Sequence, residues 1–263
     1  MSPVYLLPSW STLFVTAVAF AIVSAYGVRT ALVGRVREER VERVGGSVFL
    51  GRWFLEAFYW SFRLAGKALI WAGVSPDALT WSAVGVTGLG AFFAAAGHFS
   101  TAGALVLLGA VLDALDGLVA RERGLASERG EVLDAVVDRY SDILPLAALA
   151  IFYRDSAAAM LAPLGALMGS VLVSYVRAKS EALGLDLPSG LMRRHERLTY
   201  LVAALVIGPE LSRWLGAPYG MTHPATLLLV GVVALVSNVA ALQLLFAARR
   251  ALLGPHQRRG GRR

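Results

Sequence analysis

The sequence predicts an all-α, polytopic membrane protein, and three observations support this fold class. Of the 263 residues, 57% are hydrophobic and only 16% are charged, and the mean hydropathy is +0.62, more apolar than a soluble domain tolerates. Uncharged runs of about 20 residues, the length that a helix needs to cross a bilayer, recur along the chain. The net charge of +7 is typical of cytoplasmic loops in such a protein, so we expect no nucleic-acid partner.

Seven spans follow from the uncharged runs and their breaks. The first, Trp10 to Val28, precedes a basic stretch that begins at Arg29. A cleavable signal peptide has its positive charge before the apolar core, so we expect a retained helix. The run from Ala78 to Leu112 is too long for one span and breaks at residues 97–101. The remaining spans are expected at about 132–152, 156–176, 198–216 and 226–247.

The first helix is followed by an aromatic segment, residues 48–73, whose basic residues are widely spaced. This composition predicts an amphipathic helix in the membrane interface. With seven spans and an outer N-terminus, the 25 Lys and Arg residues lie on the inner side or at its helix ends, except for Arg139, Arg154 and Arg213. The positive-inside rule therefore predicts a protein of the cytoplasmic (inner) membrane, with its N-terminus outside and its C-terminus inside.

Residues 112–142 place five aspartates among the predicted membrane helices. Asp113 and Asp116 share one helical stripe with Gly117, Ala120 and Arg121, because these residues are spaced at i, i+3, i+4, i+7 and i+8. Gly130, Asp134 and Asp138 form a second stripe on the next helix, at i, i+4 and i+8. The loop between these helices is short, so the two stripes can face each other near the cytoplasmic surface.

Four carboxylates on two facing stripes need compensating positive charge, because an ionised carboxylate is costly in a bilayer. Ion pairing with nearby arginines is the simplest alternative, but Arg121 alone cannot balance four charges. One or two divalent cations would, and an all-oxygen ligand set suits magnesium or manganese. A pair of such ions is the usual clamp in phosphoryl transfer. The chain has no cysteine, and its four histidines have no zinc-binding spacing.

Eight fixed positions resemble, in order and spacing, the motif of the CDP-alcohol phosphotransferase family: Asp113-x2-Asp116-Gly117-x2-Ala120-Arg121-x8-Gly130-x3-Asp134-x3-Asp138. The segment from Ser75 to Thr80 is similar to the short Pro-Asn/Asp segment before that motif. The resemblance implies a six-helix core, usually a homodimer, that displaces CMP from a CDP-linked lipid with an alcohol. It covers about residues 48–248, which leaves 1–47 as an extra transmembrane helix with a basic linker and 249–263 as a basic cytoplasmic tail.

The same resemblance implies roles for individual residues. Divalent metal, two Mg²⁺ or Mn²⁺ ions, would be held by Asp113, Asp116 and Asp134 together with Asp138. As general base, Asp138 would remove the proton from the acceptor hydroxyl. The CDP group would be bound by residues of the motif and of the preceding segment: Asp77, Asp113, Gly117, Ala120 and Arg121.

The basic inner segment, residues 174–198, bears on the acceptor alcohol. It resembles the branch of the family that makes phosphatidylinositol phosphate or its archaeal equivalent, and the matching acceptor-binding candidates are Arg177, Lys179, Arg194 and Arg197. The sequence differs from that branch at residues 193 and 195, where Arg and His stand in place of Glu and Pro. Three alternatives therefore stay open. The basic residues reflect only the positive-inside rule, the acceptor is glycerol 3-phosphate, or the acceptor is a neutral alcohol such as inositol or serine. The lipid would be CDP-diacylglycerol or an ether analogue.

An ion or proton-coupled transporter is the alternative from another functional class, because intramembrane carboxylates also mark ion pathways. A conducting pathway should place polar groups at successive depths. The four key aspartates are instead expected near one membrane face, which favours the transferase.

Overall fold

The computed structural model describes residues 10–34, 52–187, 192–216 and 223–253. These residues form eight α-helices, which confirms the all-α prediction. In chain order they are α1 (Trp10–Val33), α2 (Arg52–Trp71), α3 (Pro76–Ala95), α4 (Phe99–Glu122), α5 (Glu128–Phe152), α6 (Ala157–Ala182), α7 (Arg194–Trp214) and α8 (Pro224–Leu253). The predicted basic linker after residue 34 and the tail after residue 253 lie outside the described residues.

Every predicted span coincides with a helix. Within the described ranges, five helices are long and apolar enough to cross a membrane: α1, α3, α4, α6 and α8. The other two, α5 and α7, carry charged residues along part of their length, which lowers their hydropathy. The count of seven spans therefore stays a prediction. The break predicted at residues 97–101 occurs slightly earlier, since α3 ends at Ala95 and α4 begins at Phe99. Gly97 lies between them with a φ of +84°, a conformation that favours glycine.

The chain divides into two compact units, and it passes between them within α3, α4 and α5. The first comprises Met1–Val84 and Leu108–Val137. Its apolar core packs α2 and α3 against α4, around Leu79, Leu115 and Val119. Arg123, just after α4, donates to the carbonyl oxygens of Ile70 (2.9 Å) and Val74 (3.0 Å). Its guanidinium thereby joins the end of α4 to the end of α2 and to the turn that follows α2.

The added helix α1 contacts α2 through a buried polar pair in this first unit. Tyr26 is fully buried and its hydroxyl donates to the Glu56 carboxylate at 3.1 Å. The ring of Tyr26 also lies 6.0 Å from that of Trp60, centroid to centroid. The predicted extra helix is thus attached to the predicted amphipathic helix by a specific hydrogen bond as well as by apolar contact.

The second unit comprises Gly85–Leu107 and Asp138–Arg263, and its core lies among α5, α6, α7 and α8. Small residues let these helices approach closely, as is usual between membrane helices. At Gly169 of α6, a β-carbon would lie 2.9 Å from the backbone nitrogen of Asn238 in α8. The Asn238 amide donates to the Gly165 carbonyl oxygen at 2.8 Å, so a polar bond reinforces the same helix pair.

The close approach of α7 to α8 gives a test of this packing. A β-carbon at Gly208 would lie 2.8 Å from Cα of Thr226, and backbone cannot move aside as a side-chain tip can. We expect Gly208→Ala to destabilise the protein by about 1–3 kcal/mol, seen as a lower Tm in detergent. Gly85→Ala is the control, since a β-carbon there meets nothing within 4 Å and alanine favours the helix. An equal or higher Tm for Gly208→Ala would contradict the packing.

Candidate active site

The two motif-bearing helices are joined by a turn of five residues between Glu122 and Glu128. Gly124 reverses the chain with a φ of +67°, and the Leu125 amide donates back to the Ala120 carbonyl oxygen at 2.8 Å, a helix end that glycine permits. Ser127 precedes α5 and caps it, because its Oγ accepts a hydrogen bond from the Gly130 amide at 3.2 Å. This tight connection brings the start of α5 next to the end of α4.

Three motif aspartates converge within the first unit. Each of Asp113, Asp116 and Asp134 offers one carboxylate oxygen, and these oxygens lie within 4.8 Å of one another. Asp116 is buried, Asp113 is half-buried and Asp134 is exposed. We call these three residues the carboxylate cluster. Its members face each other as the two helical stripes predict.

Thr80 on α3 adds a hydrogen-bond donor to the carboxylate cluster. Its hydroxyl lies 2.5 Å from Oδ2 of Asp116, and both side chains are buried. A short bond of this kind from a neutral donor to a carboxylate fixes the carboxylate orientation. The α3 N-terminus that presents Thr80 is itself capped, because the Ser75 hydroxyl accepts from the Ala78 amide at 3.2 Å.

The carboxylate cluster is suited to a divalent metal. Three anionic groups this close repel one another, and a cation bound between them would relieve that repulsion. Hard divalent cations prefer ligand sets made of oxygen atoms. The geometry and the donor chemistry therefore fit the metal that the sequence leads us to expect.

The residues expected to bind CDP lie on α3 and α4 in the same unit. Asp77 is exposed in the first turn of α3, three residues before Thr80. Gly117 and Ala120 are half-buried on α4. The Arg121 side chain lies over Gly117, since a β-carbon there would stand 3.1 Å from its Nη1. A larger residue at 117 would displace this guanidinium.

Asp138 and the basic segment form a second group of charged residues, in the second unit. Asp138 Oδ1 lies 2.6 Å from Nη1 of Arg194, and their side chains are 17% and 27% exposed. This ion pair is half-open to solvent. The predicted base thus lies directly beside one of the predicted acceptor-binding arginines.

A cavity of about 440 Å³ opens beside this pair. We call it the arginine cavity, because five arginines and only two carboxylates line it. The charged lining residues are Asp138, Arg139, Arg177, Glu181, Arg193, Arg194 and Arg197. An excess of guanidinium groups is the usual environment for a phosphate.

Arg197 is the most deeply held of these arginines. Its side chain is 4% exposed. Its Nη1 donates to the Met192 carbonyl oxygen (2.8 Å), and its Nη2 donates to Asp142 Oδ2 (2.9 Å) and Ser174 Oγ (3.2 Å). Three acceptors on three segments thus fix one guanidinium.

The other two predicted acceptor residues differ in position. Arg177 lines the arginine cavity, and its buried Nη2 has no hydrogen-bond partner among the described residues. Lys179 is exposed and is not part of the cavity lining. Two positions along a helix correspond to a rotation of about 200°, so the two side chains leave α6 on opposite faces.

Sequence reasoning missed three residues of these two groups: Thr80, Asp142 and Ser174. A signal existed for Asp142, which follows Asp138 by four residues and so continues the same stripe of α5. Thr80 and Ser174 lie in the segments 75–80 and 174–198 that resemble the family, but the pattern indicated no role for their hydroxyl groups. Each is a small hydroxyl residue on an apolar helix, and its role depends on a partner at least 23 residues away in the chain.

Comparison with known families decides the assignment. The family model for CDP-alcohol phosphatidyltransferase matches residues 73–236, more than half of the chain. The protein belongs to this family. The resemblance carried by the motif is thereby confirmed, and so is the class of enzyme: a transferase of phosphate-containing groups that resides in the membrane.

Two curated relatives represent the similarity. A phosphatidylinositol phosphate synthase of Mycolicibacterium smegmatis is 34% identical over 192 residues, which cover 71% of this chain and 83% of that protein. A bifunctional IPC transferase and DIPP synthase of Rubrobacter xylanophilus is 37% identical over 177 residues, 67% of this chain. The match spans only 38% of the Rubrobacter protein.

Solved structures of the phosphatidylinositol phosphate synthase of Mycobacterium tuberculosis are also similar to this transferase. The one with CDP-DAG bound aligns with a TM-score of 0.61 and 28% identity, covering 71% of this chain and 92% of the other. The one in complex with manganese and citrate aligns with a TM-score of 0.62 and 28% identity, covering 72% and 88%. The metal in that neighbour agrees with a divalent metal at the carboxylate cluster.

The hydrogen bond from Thr80 to Asp116 can be tested by metal binding alone. We expect Thr80→Val to weaken Mn²⁺ binding by about 10- to 100-fold, because groups that orient metal-ligating carboxylates typically have effects of this size. Titration of the purified protein, followed by the electron paramagnetic resonance signal of free Mn²⁺, measures this affinity. Ser82→Ala is the control: it removes an exposed α3 hydroxyl that donates to the Ala78 carbonyl oxygen of the same helix. Equal Mn²⁺ affinities for the two variants would contradict the role of Thr80.

Proposed function

We propose that the protein transfers the phosphatidyl group of CDP-diacylglycerol, or of an ether analogue, to inositol phosphate, with release of CMP. The observation that carries the proposal is the carboxylate cluster, since it is formed by the motif that defines the family. The relatives named phosphatidylinositol phosphate synthase and the neighbour with CDP-DAG bound support this donor and this acceptor.

In this proposal Asp113, Asp116 and Asp134, with Asp138, hold the metal. Two Mg²⁺ or Mn²⁺ ions would match the four carboxylates in charge. When bound, a divalent cation supplies positive charge that makes the diphosphate a better electrophile and leaving group. Thr80 holds the Asp116 carboxylate in one orientation, so the ligand set is organised in advance.

The nucleotide half of the donor is held by the first unit. Arg121 is the cation of the motif and lies over Gly117, where the absence of a side chain leaves room for it. Asp113, Ala120 and Asp77 complete the proposed CDP-binding set. The apolar surface of the helices leaves the acyl chains of the donor in lipid while its nucleotide stays in water.

Proton transfer is assigned to Asp138. Its carboxylate accepts the proton of the acceptor hydroxyl as that oxygen forms a bond to the β-phosphorus of the CDP group, the phosphorus attached to the lipid. The bond from this phosphorus to the oxygen of CMP breaks, and CMP leaves. Arg194 Nη1 lies 2.6 Å from Asp138 Oδ1 and so fixes the position of the carboxylate that acts as the base.

The acceptor is assigned to the arginine cavity. Its volume of about 440 Å³ accommodates a small phosphorylated alcohol. Arg177 offers a buried Nη2 without a partner in the described part of the chain, and Arg194 and Arg197 line the same cavity. Lys179, exposed on another face of α6, is a weaker candidate than the sequence pattern indicates.

The assembly and orientation belong to the same proposal. We expect a homodimer in the cytoplasmic membrane, with the active site at the cytoplasmic face, the N-terminus outside and the C-terminus inside. The support is the distribution of Lys and Arg along the sequence and the family resemblance.

The direct test is CMP release from CDP-diacylglycerol by the purified protein with Mg²⁺ or Mn²⁺. Inositol phosphate, glycerol 3-phosphate, free inositol and serine are supplied in parallel. We expect turnover with inositol phosphate. In Asp138→Asn, which removes the base, the rate of CMP release should fall by about 100-fold or more. Turnover only with another acceptor would overturn the acceptor assignment. If no CMP is released with any acceptor, the donor assignment is wrong. If Asp138→Asn keeps full activity, the base assignment is wrong.

If the arginine cavity binds the acceptor, substitutions in it should change the KM for the acceptor and not the KM for the donor. Arg177→Gln should raise the KM for inositol phosphate by about tenfold or more, because a charge-assisted bond to phosphate is lost, and should leave the KM for CDP-diacylglycerol within about twofold. Lys179→Gln is the matched control, since it removes a cation of the same helix outside the cavity lining. A similar rise in the acceptor KM for both variants would contradict a specific role of Arg177, because the loss of any positive charge on α6 would then have the same effect.

A further inference from the structure

We propose that Asp142 is a positioning residue for the acceptor: it holds Arg197 and Arg194 in the orientations that receive the anionic group, without touching the substrate itself. This inference rests on the proposed function, which places a phosphorylated alcohol in the arginine cavity. Asp142 has no place in the family motif that identifies the protein.

The contacts of Asp142 carry the argument. Its side chain is 9% exposed and lies one helical turn after Asp138 on α5. One carboxylate oxygen, Oδ2, lies 2.9 Å from Nη2 of Arg197, and the other, Oδ1, lies 3.8 Å from Nε of Arg194. A single buried carboxylate thus lies between two arginines of α7.

Electrostatics explains why a carboxylate is required there. Arginines 193, 194 and 197 lie at or just before the start of α7, and like charges this close repel one another. Asp142 Oδ2 brings the Arg197 side chain toward α5, and the ion pair with Asp138 brings Arg194 toward the same helix. Because Asp142 is not itself in the cavity lining, it offsets the repulsion without presenting a negative charge to the ligand.

The guanidinium of Arg197 is held by several hydrogen bonds. Besides Asp142, its guanidinium donates to Ser174 Oγ at 3.2 Å and to the Met192 carbonyl oxygen at 2.8 Å. Loss of the Asp142 charge leaves a buried guanidinium with neutral acceptors in place of its carboxylate partner. A shift of about 1 Å in a binding group has large effects on the transfer reaction. We therefore expect weaker binding of the acceptor, while binding of the donor changes little.

The test compares Asp142→Asn with wild type in steady-state kinetics. We expect the KM for inositol phosphate to rise about tenfold or more and the KM for CDP-diacylglycerol to change by less than about twofold. Glu210→Gln is the matched control: it removes a carboxylate that pairs with another α7 arginine, Arg213, outside the arginine cavity. An unchanged acceptor KM in a folded Asp142→Asn protein, or equal rises for both substrates, would overturn the inference.

A second readout does not depend on turnover. Inorganic phosphate should raise the Tm of the wild-type protein and of Glu210→Gln, and should raise that of Asp142→Asn much less. If the wild type rejects phosphorylated acceptors but this difference in Tm persists, the acceptor in the proposed function is wrong and the positioning role stands. Equal stabilisation of all three proteins would overturn the positioning role.

Ser174→Ala keeps the test decisive if Asp142→Asn fails to fold. It removes one of the three bonds to Arg197 and no charge. We expect a smaller rise in acceptor KM, about threefold, as for the loss of a single hydrogen bond of about 0.5–1 kcal/mol, with the donor KM unchanged. No rise in the acceptor KM would count against the positioning of Arg197.

Discussion

The cost of placing carboxylates among apolar helices is the constraint on which the functional groups of this protein depend. An ionised carboxylate within a membrane must be paired, bound to a metal or opened to water. The carboxylate cluster has three acidic groups within 4.8 Å, and a neutral donor, Thr80, holds Asp116. Asp138 and Asp142 lie beside the guanidinium groups of α7. Along α5, acidic residues therefore occur both in the carboxylate cluster and next to arginines.

Three aspartates follow one another along α5 and have different neighbours. A group of carboxylates packed closely together attracts a metal, and through it a diphosphate. A buried carboxylate paired with an arginine, as Asp142 is with Arg197, holds a guanidinium group at a fixed position where it can meet an anion. The spacing of four residues between Asp134, Asp138 and Asp142 keeps all three on one stripe. Their chemistry is separated by the neighbouring helices rather than by the stripe itself.

The helices and the motif could be predicted from the sequence because both depend on local information. Apolar runs predict α3, α4, α6 and α8. The fixed spacing of Asp113, Asp116 and Asp134 predicts that their side chains lie together, as they do. The contact from Thr80 to Asp116 crosses 36 positions of the chain, and the contact from Arg197 to Asp142 crosses 55. Such pairs depend on how helices pack, so no pattern within one helix reveals them. Lys179 illustrates the converse, since a basic residue in the right segment faces away from the cavity.

The helix added before the family domain is joined to the rest by the same kind of interaction. Tyr26 donates to Glu56 in a buried position, where an unpaired carboxylate would be costly. Helix α2, which carries Glu56, is in turn held by Arg123 at its carbonyl end and packs on α4 at Gly66, where a β-carbon would meet the side chain of Leu118. Each of these three polar or close contacts lies within the first unit. The added helix therefore reaches the motif helix through α2 by specific contacts, which a purely lipid-anchoring segment would not need.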